Sequence, residues 1–143
     1  MVIGITNDHF GVIKKQQIIK YLEKKGHTVI DYGYNGSEDE KVDYPIYAFE
    51  LVKNIDKLDI GILICTSGIG MSIAANRIKG VRCARVVNKK EAIITRKHNH
   101  ANCLAISGKY SLRKIKGIIN AFINQEYDSA ERYERRAKML DEY

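Results

Sequence analysis

Apolar residues along this chain fall into short runs that alternate with longer stretches where they recur every three or four positions. The runs are 2–6, 28–32, 59–65, 81–87 and 102–107. Each has the length of a strand. Residues 10–25 have helical spacing, with Ile13, Ile18, Ile19 and Leu22 on one side and lysines opposite. Gly26 follows as a helix stop. Asp43-Tyr44-Pro45 opens a helix reaching about residue 55, with proline in its first turn. Helices are also predicted over 71–78, stopped by Gly80, over 89–97, and over 111–124, capped by Ser111. Residues 33–41 form a polar loop, and the charged segment 129–141 makes a last helix.

Strand and helix thus alternate along the chain. That order predicts an α/β fold: a three-layer, doubly wound, Rossmann-like sandwich. Its five-stranded parallel sheet has helices on both faces, and one extra helix follows at the C-terminus. A chain of 143 residues suits one domain over 1–143. In such folds ligands bind outside the carboxyl ends of the strands. The rule selects Asn7-Asp8-His9 after the first strand and Cys65-Thr66-Ser67-Gly68 after the third. The segment entering the fifth strand, His98-Asn99-His100, is expected at the same edge.

Composition narrows the function classes only a little. Hydrophobic residues at 45% and charged residues at 29% are ordinary for a globular protein. No apolar run approaches a membrane span and the N-terminus has no signal-peptide pattern, so a cytoplasmic protein is expected. Three cysteines without paired spacing do not make a disulfide framework. A net charge of +7 admits nucleic acid, anionic lipid or phosphorylated substrates. No recognition-helix signature, aromatic-rich strand motif or arginine-rich tract speaks for nucleic acid, and a basic nucleic-acid-binding module stays as the non-enzymatic alternative. Lysines such as Lys14, Lys15, Lys24 and Lys25 fall on a helix, where a solvated face accounts for them.

The segment Cys65-Thr66-Ser67-Gly68-Ile69-Gly70-Met71-Ser72 carries the most chemistry. It places a thiol where a strand ends and a glycine-rich turn enters a helix. Free backbone N–H groups and the positive end of a helix dipole meet there. Such a place favours a thiolate and can hold a developing oxyanion. A small buried cysteine beside a tight turn fits the same residues. His98 reads equally as a proton carrier or as a helix C-terminal cap. Asn99 reads as a turn residue, and Asp43 as an N-cap. Arg132 and Arg136 are four apart and share a helix face, where they suit a phosphate or pair with Glu131 and Glu134. A cysteine phosphatase would need arginine six residues after the thiol, where Met71 stands. A phosphocysteine carrier usually places its cysteine after the first strand. His98, His100 and a cysteine do not make a convincing metal ligand set.

The motifs Asn7-Asp8-His9-Phe10-Gly11, Val42-Asp43-Tyr44-Pro45, Gly61-Ile62-Leu63-Ile64-Cys65 and Gly68-Ile69-Gly70-Met71-Ser72-Ile73-Ala74-Ala75-Asn76 follow one another along the chain. Arg96-Lys97-His98-Asn99, Ala101-Asn102, Arg132 and Arg136 complete the series. With them the chain resembles the ribose-5-phosphate isomerase B group, which includes the galactose-6-phosphate and allose-6-phosphate isomerases. The resemblance implies aldose–ketose isomerisation of a small phosphorylated sugar through an enediolate, with no metal and no organic cofactor. Ribose 5-phosphate to ribulose 5-phosphate is the leading reaction; another aldose phosphate, of six or four carbons, is the alternative. It also implies a homodimer with shared active sites, in some members a tetramer, and no nucleic-acid or membrane partner.

The same resemblance assigns roles to residues. Cys65 is the base, and Ser67 carries a proton at the second oxygen. The backbone of Gly68, Ile69 and Gly70 holds the enediolate. His98 opens the sugar ring, with Asp8 near the ring oxygen. Asn99, Asp43 and Tyr44 contact the sugar, and His9, Lys109, Arg132 and Arg136 the phosphate. Five positions depart from the family pattern: Thr66 stands for glycine, Ser67 for threonine, His100 for aspartate, Lys109 for arginine and Tyr133 for histidine. Cys83 and Cys103 read as core fillers.

Overall fold

The computed structural model describes residues 1–143. Five strands are β1 (Val2–Asn7), β2 (Thr28–Asp31), β3 (Ile60–Cys65), β4 (Cys83–Arg85) and β5 (Cys103–Ser107). The helices are α1 (Val12–Lys24), α2 (Tyr44–Val52), α3 (Ile69–Ala75), α4 (Lys89–Asn99), α5 (Leu112–Asn124) and α6 (Glu131–Glu142). Two 3-10 turns, His9–Gly11 and Ile55–Lys57, complete the list. All strand pairs are parallel and the order across the sheet is β2-β1-β3-β5-β4. The doubly wound α/β architecture expected from the sequence is therefore present.

Alternating residues of the central strands feed two cores. Ile60, Ile62 and Ile64 pack with Ile18 and Leu22 of α1, Ala92 of α4, and Ile115, Ile118 and Phe122 of α5. Leu63 and Cys65 point the other way, to Leu51 of α2 and Met71 and Ala75 of α3. The chain leaves β1 toward β2 and then returns past it to β3. The strand order therefore reverses at the β1/β3 boundary, where such folds bind ligands. Helix α6 stands outside the layers against α4, and Ala137 is its one buried residue.

Several boundaries differ from the sequence pattern for local reasons. The predicted first helix is interrupted at its start, because Asp8 accepts from the Phe10 N–H at 2.9 Å and caps a 3-10 turn. The strand expected over 81–87 pairs only at Cys83–Arg85, the sheet edge. Helix α3 starts two residues earlier than its pattern, immediately after the Gly68 turn. Helix α4 runs two residues further than expected, to Asn99, and His100 closes it in a left-handed conformation. The His100 and Ala101 N–H groups both donate to the Thr95 carbonyl, which satisfies the helix end.

The solvated face expected for the first helix fails at one lysine. Lys15 is not on a solvated face: it is fully buried. Its Nζ lies 2.9 Å from Asp31 Oδ1 and donates to the Tyr34 carbonyl and to Asn35 Oδ1, each at 2.9 Å. Burial pushes its pKa down, and the Asp31 carboxylate pushes back. A buried ammonium persists only with such partners. Lys15 thereby ties the loop after β2 to α1. Lys15→Ala is expected to cost about 3 kcal/mol in urea unfolding, since it strands Asp31 and two loop acceptors; a loss within experimental error would show that water replaces the ammonium at no cost.

Candidate active site

At the carboxyl edge of the sheet three strand ends lie side by side. Asn7 pairs with Ile64 and Cys65 with Ser107, so β1, β3 and β5 finish together. Cys65 ends β3 with its side chain on the α3 face, and the Gly68 N–H donates to its Sγ at 3.1 Å. That bond fixes the sulfur against the turn. Gly68 has φ 78°, and a Cβ there would come within 3.0–3.2 Å of the Ile106 backbone. Only glycine makes this turn without strain. The next residues start α3, whose first backbone bond runs from the Ser72 N–H to the Gly68 carbonyl. The Gly70 and Met71 amides have no acceptor within the helix. Gly70 lies under the Tyr44 ring, where any Cβ would meet ring carbon at 2.8 Å.

Hydrogen bonds from β4 and the end of β5 hold this turn. The Ser107 hydroxyl donates to the Thr66 carbonyl at 2.6 Å, and the Gly108 N–H to the Cys65 carbonyl at 2.8 Å. Arg85 Nε donates to the Ser67 carbonyl at 3.1 Å. The Ile69 N–H donates to Ser67 Oγ at 3.2 Å. Thr66 does not strain the loop, since His100 is the only non-glycine residue with positive φ.

Asp8 and His9 come from the end of β1. Asp8 is buried, and desolvation raises its carboxyl above the ordinary value against the opposing Phe10 N–H and His9. A raised carboxyl at a rim of polar groups is what a proton donor to a ring oxygen requires. His9 Nδ1 accepts from the Val42 N–H at 3.2 Å, which leaves Nε2 for a further partner. The same bond ties the loop before α2 to the site. Asp43 occupies the N-cap position of α2 but makes no capping bond, and it is exposed together with Tyr44. Lys109 is exposed just beyond β5, its N–H on Ser107 Oγ at 3.2 Å.

The remaining expected residues are not at this edge. A helix joining two parallel strands ends where the next strand begins. His98 and Asn99 form the last turn of α4 and therefore lie at the amino edge of β5. A six-residue strand at ~3.3 Å per residue puts them roughly 15–20 Å from Cys65 along the sheet. Arg132 and Arg136 go with them: the Tyr133 ring stacks on His98, with centroids 4.6 Å apart and planes 9° from parallel. One chain thus divides the expected residues into two groups. Asp8, His9, Asp43, Tyr44, Cys65, Ser67, Gly68, Ile69, Gly70 and Lys109 share the carboxyl edge. His98, Asn99, Arg132 and Arg136 share the amino edge.

Residues 3–140 match the family model described as Ribose/Galactose Isomerase. The chain belongs to this family, and it is an isomerase. A probable ribose-5-phosphate isomerase B of Mycoplasma genitalium is 38% identical over 99% of this chain and 94% of its own. A crystal structure of a ribose 5-phosphate isomerase from Thermotoga maritima superimposes with a TM-score of 0.92 at 39% identity, covering 99% of this chain and 98% of that one. A Mycoplasma genitalium ribose-5-phosphate isomerase B solved with bound ribulose-5-phosphate gives a TM-score of 0.93 at 35% identity over 99% and 95% of the two chains.

Sequence reasoning passed over Ser107 and Arg85 of this isomerase. Ser107 could have been found by applying the strand-end rule to the fifth strand as well. Arg85 had no signal, because its role depends on β4 lying beside β5. The two cysteines read as fillers are buried, and burial raises Cys83 well above the ordinary thiol range and Cys103 to about 12.

The raised Asp8 carboxyl has a signed consequence. Its folded pKa exceeds its unfolded one, so its contribution favours the fold below the unfolded value and is lost as pH rises through the folded value. Asp8→Asn keeps the capping acceptor. The variant should melt a few degrees higher than wild type at pH 7, and the difference should vanish on acidification toward pH 3. A gain independent of pH in calorimetry would remove the carboxylate as its cause.

Proposed function

We propose that this isomerase interconverts ribose 5-phosphate and ribulose 5-phosphate through an enediolate, in the cytoplasm, as a homodimer with two shared sites. The observation that carries the reading is the thiol at the end of β3, held by the Gly68 N–H in a turn that only glycine can make. A sugar carbonyl needs a base beside the carbon acid and donors at the developing oxyanion. Cys65 is the base; of the expected donors the Gly68 and Ile69 amides are taken up by Cys65 Sγ and Ser67 Oγ, which leaves Gly70, with Met71 added beyond it. Ser67 carries the proton at the second oxygen. Asp8 protonates the ring oxygen side. Tyr44 and Asp43 bound the sugar.

Ring opening and phosphate binding need the amino-edge group, which the same chain cannot bring to its own Cys65. His98 of the partner subunit supplies the imidazole, Asn99 of the partner subunit an amide for sugar hydroxyls. Arg132 and Arg136 of the partner subunit hold the phosphate with His9 and Lys109. A two-fold dimer makes two such composite sites by one operation. The apolar side chains of α3 that a chain leaves exposed, Ile69 at 50% and Ile73 at 61%, support a surface covered in the assembly. The family description names both ribose and galactose, which keeps an aldose 6-phosphate as the alternative substrate.

Two experiments test this. Cys65→Ala should abolish turnover of ribose 5-phosphate, at least a thousandfold, while Cys83→Ala retains it; a near-normal rate in Cys65→Ala removes the thiol from the base role. Inactive Cys65→Ala and inactive His98→Ala, unfolded together and refolded as a mixture, should regain about a quarter of wild-type activity, because random pairing leaves one intact site in half the dimers. No recovery from the mixture would mean that each site is built within one chain. Assays on galactose 6-phosphate and allose 6-phosphate alongside decide the sugar.

A further inference from the structure

Arg96 on α4 is buried and takes part in no ion pair. Its Nη1 donates to the Ala101 carbonyl at 2.7 Å and to the Tyr127 hydroxyl at 2.6 Å. Its guanidinium carbon lies 4.4 Å from the centre of the Tyr127 ring and 5.0 Å from that of Phe122. Ring faces and neutral acceptors thus replace the carboxylate that a buried cation ordinarily needs. The Nε of Arg96 has no partner at all. Such an arrangement holds only while Tyr127 stays in place.

His100 secures Tyr127 from the other direction of the chain. The two rings stack with centroids 4.5 Å apart and planes 6° from parallel. His100 Nε2 donates to the Asp128 carbonyl at 3.0 Å, and the Asp128 N–H donates to the Lys97 carbonyl at 2.9 Å. Both backbone groups of Asp128 are therefore held by the last turn of α4. Its carboxylate accepts from the Ala130 N–H at 2.9 Å and turns the chain into α6. In the first turn of α6 Tyr133 stacks on His98, and the Arg132 guanidinium sits 4.7 Å from the Tyr133 ring. Little else fixes this end of α6, since its ties to Lys79 and Arg82 are at Asp141 and Glu142, the far end.

We propose that Tyr127 and His100 are positioning residues for the reaction: the Arg96–Tyr127–His100 stack locks the end of α4 to the start of α6, so that His98 and Arg132 enter the partner's site as one preformed block. The inference rests on the phosphate role given above to Arg132. It also gives His100 a task where the family commonly has aspartate. Preorganisation of this kind lowers the ordering cost of binding the phosphate. A loosened block therefore shows first in KM.

The test is a double-mutant cycle on ribose 5-phosphate. Tyr127→Ala should raise KM about tenfold, and Arg132→Ala should raise it as well. In the Arg132→Ala background the added effect of Tyr127→Ala on KM should fall below about twofold, because the phosphate ligand of the block is gone and His98 acts on ring opening rather than on phosphate binding. Tyr127→Phe keeps the stack and should stay within about threefold of wild type. Should Tyr127→Ala fail to fold, His100→Asn takes its place: it keeps the left-handed turn, removes the ring, and should raise KM about threefold. Unchanged KM in these variants beside a raised KM in Arg132→Ala overturns the positioning role alone. So does full additivity, or a loss confined to melting temperature and kcat. Unchanged KM in Arg132→Ala sinks the phosphate reading, and the positioning role with it.

Discussion

Because all five strands point one way, every helix that links two of them must run back against them, and each link ends at the opposite edge from where it began. This constraint sorts the chemistry of the molecule. Groups that follow a strand, such as Asp8, Cys65 and Ser107, collect at the carboxyl edge. Groups that end a helix, such as His98 and Asn99, collect at the amino edge. No local change of loop or rotamer can move a residue between them. The composite site proposed above would join members of both groups across a two-fold axis, the least elaborate way to do so.

Within the carboxyl edge, steric room decides what the backbone can do. The turn after Cys65 approaches the Ile106 backbone so closely that the chain must pass with no side chain at Gly68. Tyr44 then closes over Gly70 from the neighbouring helix. The result is a set of amides held by packing around a thiol, with Ser107 and Arg85 fastening the carbonyls on the other side of the turn. Preorganised dipoles of this kind need no rearrangement when charge develops. The departures at Thr66 and Ser67 fit into that frame, since neither requires an unusual backbone.

The sheet, its order of elements and the residues at the strand ends were legible in the sequence because long apolar periods report burial directly. Lys15 was not. Its helical position is that of a solvated lysine, and only the loop after β2, folding back with Asp31, Tyr34 and Asn35, encloses it. The end of α4 was misjudged for a related reason: His98-Asn99-His100 has the composition of a turn, yet two amides on one carbonyl keep it helical to Asn99. The separation of the site into two groups was also hidden. Motifs adjacent in a family pattern carry no record of which edge of the sheet they occupy, and the direction of each crossover supplies it.

The left-handed backbone at His100 also limits what evolution can write there. With φ at 50°, the position accepts glycine, asparagine, aspartate or histidine and penalises nearly everything else. Of these four, aspartate brings a charge, asparagine an amide, glycine nothing, and histidine an aromatic surface. The substitutional alphabet at one helix end thus decides what can lie against the ring at 127. A lineage that takes histidine commits itself to keeping an aromatic residue at 127, so the two positions are expected to change together rather than one at a time.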